Sequence, residues 1–561
     1  MSDRAVGWLV FITALLTLVL SARTQGNTRD EGYYFDAAEQ YYGWYGELGD
    51  NLVAGHPLKS FDKVTVDRWF GYNHEHPALM KTLFGFSWRI FHICKCNSQP
   101  GRHPLSYPKK HRTLGLLSEE SAMRLPTHAA VAMMAALIFL FGAQAWSRRA
   151  GLVAAVLSVA APRLFFDAQL ACFDAPIAAL WVATVYAYWR SLVDGKWAWR
   201  AGLFFGLALA TKHNAFFIPA ILIPHYLWTQ RSHLKAIKFP PIPAALVWMA
   251  LLGPIIYFAC WPWLWFDTVN RFREYVAFHV HHTYYNMEYF GHNYNKPPFP
   301  ISFPYVMTLL TMPVTTLALA VGGAVTLGRA AFKKPTSIEA ATSPGLLAGL
   351  NALFPMAIIT VTRAPIFGAT KHFHATIPFL ALLAGFGFHA LTEALGRTTK
   401  ERNARALALG LGLLVCAPAV AETWRSHPYA LSHYNMLAGG PQGGADLGMN
   451  RQFWGYPTRG ILPWINANAQ PNAPIYWHDT NQAQLNMDVR IGLLRPDVRN
   501  TGLEEPGVQA SDIAMVIHEK HFNKYEYWIW DFYGTARPSL VLDDEGVPLV
   551  TLYERPVKTN K

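Results

Sequence analysis

Long apolar runs separated by short basic loops dominate the chain. Runs long enough to cross a bilayer, or nearly so, fall at about 7–22, 124–146, 150–166, 172–192, 201–212, 214–230, 242–262, 304–328, 346–363, 374–394 and 403–421. They predict a polytopic α-helical membrane protein with about eleven transmembrane helices. The first run follows Met1-Ser-Asp-Arg4 and leads into Ser21-Ala22-Arg23 rather than an Ala-x-Ala cleavage site, so 1–22 reads as a retained signal-anchor span. Within the long loop 23–123, Pro77 to Phe91 spaces its apolar residues helically beside Lys81 and Arg89, which suits an interfacial helix. The multi-span membrane domain then covers 124–421. From 422 the apolar stretches shorten, and Ala473–Trp477, Ile513–Ile517 and Pro548–Tyr553 read as strands, so 422–561 is expected to form a small C-terminal α/β domain.

Composition agrees with that pattern. Of 561 residues, 52% are hydrophobic and 15% charged, too few charges to cover such a chain as a soluble protein, and 14% are aromatic, which excludes disorder. The net charge of +12 (48 Lys and Arg against 36 Asp and Glu) forms no single patch, so nucleic acid is not an expected partner. The basic residues fall instead in alternate loops, among them Arg148-Arg149, Arg190 to Arg200, Arg231 to Lys238, Arg329 to Lys334 and Arg397 to Arg405. Positive loops stay in the cytoplasm, which puts the amino terminus inside and the loop 23–123, the aromatic loop 263–303, the link 364–373 and the tail from 422 outside. The five cysteines are scattered, and Cys94-Lys-Cys96 has no second pair to complete a zinc site.

Charge is costly near hydrocarbon, so ionisable residues at the outer ends of the spans mark candidate chemistry. They are Asp30, Glu31, His74, Glu75, His76, Lys81, Asp167, Asp174, Lys212, His213, Arg363, Lys371, His372 and His374. Asp30-Glu31 opens the outer loop directly after the first span, where a carboxylate could take a proton from an acceptor whose co-substrate lies in lipid. The bland alternative for each is snorkelling to the interface or structural pairing.

Several of these residues stand in stretches that resemble the GT-C glycosyltransferases of family 39, akin to bacterial members of the protein O-mannosyltransferase and lipid A aminoarabinose transferase group. The stretches are Asp30-Glu31 with the following Tyr and Ala residues, His76-Pro-Ala-Leu-Met-Lys81, Pro162 to Asp174-Ala-Pro176, Leu207 to Thr211-Lys212, Lys371-His372 before Pro378, and His427 to Gly440. The chain departs from the family pattern at Asn450-Arg-Gln-Phe-Trp454-Gly455, where bacterial members carry an Asp-Trp-Gly-Gln-like stretch, and the tail after about 456 matches nothing in the family.

The resemblance implies transfer of a sugar from a polyprenyl-phosphate donor to a protein, lipid or glycan acceptor, with inversion, at the periplasmic or otherwise extracytoplasmic face of a bacterial inner membrane. Inversion needs a base opposite the leaving group, for which Asp30 is the candidate, with Glu31 and Asp174 completing the catalytic set. A phosphate leaving group needs cations, and Lys81, Lys212, Arg363 and Lys371 supply them. Lys212 interrupts an apolar stretch and is the best single cation, with an ion pair to Asp174 as the competing reading. His76, His213 and His372 are assigned to acceptor or sugar. No cofactor is expected to be required; His74-x-His76 leaves a divalent metal as an open alternative. The competing function is a transporter or flippase of a lipid-linked or anionic solute, which would place its key charges near the bilayer midplane.

Overall fold

The computed structural model describes residues 1–93, 113–231, 233, 239–331, 343–361, 366, 368–398 and 400–556. The amino-terminal half runs through helices α1 (Asp3–Ser21), α2 (Arg29–Val53), α3 (Lys63–Phe70), α4 (Leu79–Phe91), α5 (Glu119–Ala145), α6 (Arg148–Val159), α7 (Pro162–Asp167), α8 (Asp174–Ser191), α9 (Ala198–Leu209) and α10 (Ile218–Thr229). Four helices among the described residues are long and apolar enough to cross a membrane: Asp3–Ser21, Glu119–Ala145, Thr376–Gly396 and Asn403–Ser426. Ala244–Ala259, Val314–Arg329 and Pro344–Thr360 are apolar but shorter.

The expected runs therefore survive as helices, though not always as single ones. The run 150–166 is cut at Ala160–Ala161, because Pro162 has no N–H to continue the ladder and starts α7 instead. Pro313 likewise separates Phe303–Thr311 from Val314–Ala331. Helices α9 and α10 have 12 residues each, roughly 18 Å of rise, against about 30 Å of hydrocarbon.

Helix α8 is the axis of the bundle. Every residue from Asp174 to Trp189 is buried, the mark of a helix surrounded by others rather than by lipid. Around it the outer helices turn apolar side chains outward, as Trp8, Leu9, Ile12, Leu16 and Leu20 do on α1. Lipid is as apolar as leucine, so close packing rather than water exclusion must hold such helices together. Glycines supply it. At the crossing of Val314–Ala331 with Thr376–Gly396, a Cβ on Gly387 would lie 2.1 Å from the Leu319 carbonyl oxygen, and one on Gly323 2.2 Å from that of Leu383.

Helix α2 begins with a capping box: the Thr28 hydroxyl accepts from the Glu31 N–H, and the Glu31 carboxylate from the Thr28 N–H. It packs on α4, the expected interfacial helix, so closely that a Cβ on Gly85 would meet the Ala38 carbonyl at 2.3 Å. Beyond the bundle, an antiparallel hairpin of β1 (Met287–Tyr289) and β2 (His292–Tyr294) stands in the aromatic loop. The C-terminal stretch carries a five-stranded sheet of β3 (Pro474–Trp477), β4 (Arg499–Asn500), β5 (Ile513–Ile517), β6 (Leu540–Asp544) and β7 (Val547–Glu554), in the order β4-β3-β5-β7-β6. Strand β3 is parallel to β4 and β5, whereas β7 runs antiparallel to β5 and β6. Buried throughout, β5 reads as an unbroken apolar run, as a central strand covered on both faces should.

The C-terminal stretch is tied to the first loop by polar contacts: Arg29 with Asp479, Arg459 with Glu120, Arg490 with Glu39 at 2.6 Å, and Asn27 with Asp488 at 2.9 Å.

Candidate active site

Consecutive residues on a helix project about 100° apart, and the first turn of α2 uses that angle to separate Asp30 from Glu31. Glu31 turns inward and is fully buried. Its two oxygens receive the Arg124 guanidinium at 2.7 and 2.8 Å, and the Ala171 N–H donates to one of them at 2.8 Å. Arg124 also donates to the carbonyls of Ala22, Gln25 and Gly26 and to the Asn27 amide oxygen, so one buried side chain fixes the path from α1 into α2. A carboxylate so occupied is an anchor for the loop. Asp30 turns outward into a cavity of about 270 Å³.

Asp174 reaches that cavity from the amino terminus of α8, Lys212 from the break between α9 and the turn before α10, and Lys371 with His372 from a short turn ahead of Thr376–Gly396. The Lys212 ammonium donates to Asp174 Oδ1 at 2.5 Å. The fold thus supplies the partner that its sequence neighbourhood lacks. Lys371 lies 3.7 Å from Asp30 Oδ2 and 4.2 Å from the centre of the Trp454 ring. Two carboxylate–cation pairs therefore share one small cavity. Arg29, bonded to Asp479 at its rim, adds a third cation.

His76, His213 and His372 also line the cavity, joined by His279 and His282 from the aromatic loop. His76 is held well below the usual imidazole range by burial and by Lys81, and is neutral at neutral pH. His74 turns away, 2.8 Å from the Gly71 carbonyl and 3.1 Å from Glu274, with its ring stacked on Trp263. The spacing His74-x-His76 accordingly does not bring both rings to one point.

Lys81 takes a different place from the other candidate cations. It is wholly buried, and its ammonium donates to the Tyr41 hydroxyl at 2.9 Å, to the His76 carbonyl at 2.9 Å and to Asn73. It staples the segment carrying Asn73, Glu75 and His76 to α2 and does not line the cavity. Asp167 lies behind the site, where His374 Nδ1 stands 2.6 Å from its carboxylate, off the line of a hydrogen bond. Arg363 lies outside the described residues, as does Cys94-Lys-Cys96. A larger cavity of about 600 Å³, among Arg148, Arg149, His389 and Arg397, is lined by none of the candidate residues.

Seven of the ten residues assigned a role thus converge: Asp30, Asp174, Lys212, Lys371, His76, His213 and His372. Sequence reasoning missed Arg29, Trp454 and the Arg124 anchor. An arginine at the edge of an apolar run was the one available signal for Arg124.

A family model for dolichyl-phosphate-mannose-protein mannosyltransferase matches residues 114–258, the segment that contains Arg124, Asp174 and Lys212. No curated protein matches the sequence. Among solved structures, ArnT from Cupriavidus metallidurans in the apo state is 14% identical with a TM-score of 0.50, covering 98% of each chain. The same protein bound to undecaprenyl phosphate is similar at a TM-score of 0.47, with 14% identity and 98% of each chain covered. The apo Archaeoglobus fulgidus oligosaccharyltransferase is 10% identical at a TM-score of 0.46, over 94% of this chain and 72% of that one. The chain shares the fold of ArnT, and residues 114–258 match the mannosyltransferase family model.

Proposed function

From that fold and that matched segment, we propose that the protein is an integral membrane glycosyltransferase that moves a sugar from a polyprenyl-phosphate donor to an extracytoplasmic acceptor, with inversion at the anomeric carbon. The reading includes a multi-pass chain of about eleven crossings, in a bacterial inner membrane, with the cavity and the C-terminal stretch on the periplasmic side. The observation that carries it is the cavity itself: a carboxylate at the first turn of α2 shares about 270 Å³ with Lys212 and Lys371.

Asp30 is the base. It takes the acceptor's proton as the acceptor oxygen attacks the anomeric carbon, while the donor phosphate leaves on the opposite side. Lys371 and Lys212 stabilise the charge that builds on the departing phosphate. Phosphate is a good leaving group, so the cavity needs no strong acid, and the neutral His76 is free to hydrogen-bond sugar or acceptor hydroxyls. Asp174 holds Lys212 in place. The charged groups stand at helix ends and breaks, not in mid-helix; sugar transfer by the purified protein in detergent, without a gradient, separates this reading from transport across the bilayer.

Asp30→Asn keeps the shape but removes the base. The purified variant should transfer sugar from synthetic polyprenyl-phosphate hexose donors about two to four powers of ten more slowly, with an unchanged melting temperature. Glu31→Gln should do the reverse, lowering the melting temperature by weakening the Arg124 anchor. Near-native transfer by Asp30→Asn would overturn the assignment.

A further inference from the structure

Outside the cavity, the β1–β2 hairpin is seated on the C-terminal stretch. The Glu288 N–H donates to Asn450 Oδ1 at 3.0 Å, and the Gly291 N–H to the Gly448 carbonyl at 2.9 Å. Glu288, in the middle of β1, is 4% exposed, and Glu519, just past the end of β5, is 8% exposed. His521 closes the group, with Nδ1 3.5 Å from a carboxylate oxygen of Glu288 and 3.5 Å from one of Glu519. One donor atom from each residue lies within 4.8 Å of the others.

Pairing with lysine or arginine does not explain this arrangement. Among the described residues neither carboxylate has a lysine or arginine within ion-pairing distance. Glu288 accepts only a backbone N–H, that of Lys520, whose ammonium is spent on the Gly291 carbonyl. Among the described residues the Glu519 side chain, more than nine-tenths buried, has no hydrogen-bond partner, and His521 Nδ1, shielded from solvent, makes no hydrogen bond. A further carboxylate, Asp479, stands near and has its own partner in Arg29. Two buried carboxylates facing each other without a cation are unfavourable.

The distances suit a cation held between them. Donors about 2.1 Å from a common tetrahedral metal lie ~3.4 Å apart, close to both 3.5 Å separations. One imidazole and two carboxylates are a donor set for zinc or manganese; calcium takes six to eight oxygens and has no use for the ring. We propose that Glu288, Glu519 and His521 bind a divalent transition cation of the zinc–manganese class, which clasps the hairpin of the aromatic loop to the C-terminal sheet. Three protein ligands leave a position for water. The clasp is independent of sugar transfer, although Tyr285, two residues before β1, lines the cavity.

The test uses the full-length protein in detergent, stripped with EDTA and dialysed against Zn2+ or Mn2+, with bound metal counted by mass spectrometry and thermal midpoint followed. Wild type should retain about one equivalent more of one of these metals than Glu519→Gln or His521→Ala, and that metal should raise its midpoint by several degrees. The rise should vanish in both variants and persist in His279→Ala, which alters the cavity histidines. Glu519→Gln removes a buried charge, so its metal-free midpoint should match or exceed that of stripped wild type. Because His521 is partly exposed, its truncation gives a second folded variant. Equal metal content in wild type and both variants, or a rise that survives in them and disappears in His279→Ala, would overturn the proposal.

Discussion

At the scale of single residues, the pair Lys212–Asp174 shows how a charge is kept among apolar neighbours. Both side chains are less than one-tenth exposed and touch at 2.5 Å. Removing one member of a buried pair leaves the other desolvated, commonly at about 3–5 kcal/mol, less where the site is wet. Lys212→Ala should therefore lower the melting temperature without donor, and adding Asp174→Ala should recover part of the loss. Under the proposed function, the stabilisation gained on adding polyprenyl phosphate should also shrink in the single variant. Melting curves with and without the lipid read both effects, and an unchanged lipid increment would remove Lys212 from the phosphate site. Seven cavity residues were legible in the sequence because each stands where an apolar run ends or breaks, a place that selects against idle charge. The pairing of Glu31 with Arg124 was opaque for a different physical reason. A buried ion pair is defined by its partner, here 93 residues away along the chain, and no local pattern reports it.

Among the helices, the decisive contacts are those between backbones. A Cβ on Gly387 would fall 2.1 Å from the Leu319 carbonyl and 2.8 Å from the Gly323 nitrogen, so Val314–Ala331 and Thr376–Gly396 would have to part. Gly387→Val should cost about 1–3 kcal/mol by overpacking, seen as a lower thermal midpoint. Gly410→Ala, with nothing within 4 Å of its added Cβ, should be neutral or slightly stabilising. Periodicity located the apolar helices well because lipid and protein select the same residues along a whole run. It joined 150–166 across Pro162 and 304–328 across Pro313, since hydrophobicity continues through a proline that the hydrogen-bond ladder does not. Strands β3, β5 and β7 could be read from their apolar runs. The two-residue β4 is too short to leave a pattern, and β6, with alternating exposure at the sheet edge, was missed.

For the whole molecule, the contacts of Arg29, Asn27, Glu39 and Glu120 with the C-terminal stretch require that stretch and the first loop to lie on one side of the membrane. Reporters inserted at Gly55 and fused after Lys561 should both give the extracytoplasmic signal; opposite signals would overturn the proposed topology. The 12-residue length of α9 and α10 then acquires a meaning for the chemistry. Under the proposed topology, helices of roughly 18 Å do not lift the turn between them to the surface of a core of about 30 Å, which puts Lys212 on a floor recessed beneath the lipid headgroups. At that depth the competitor of any acceptor is scarce: bulk water, which would otherwise cleave the activated sugar and waste it. Under the proposed function the short helices thereby favour group transfer over hydrolysis, by placing the reacting bond where the commonest nucleophile in the cell is least concentrated.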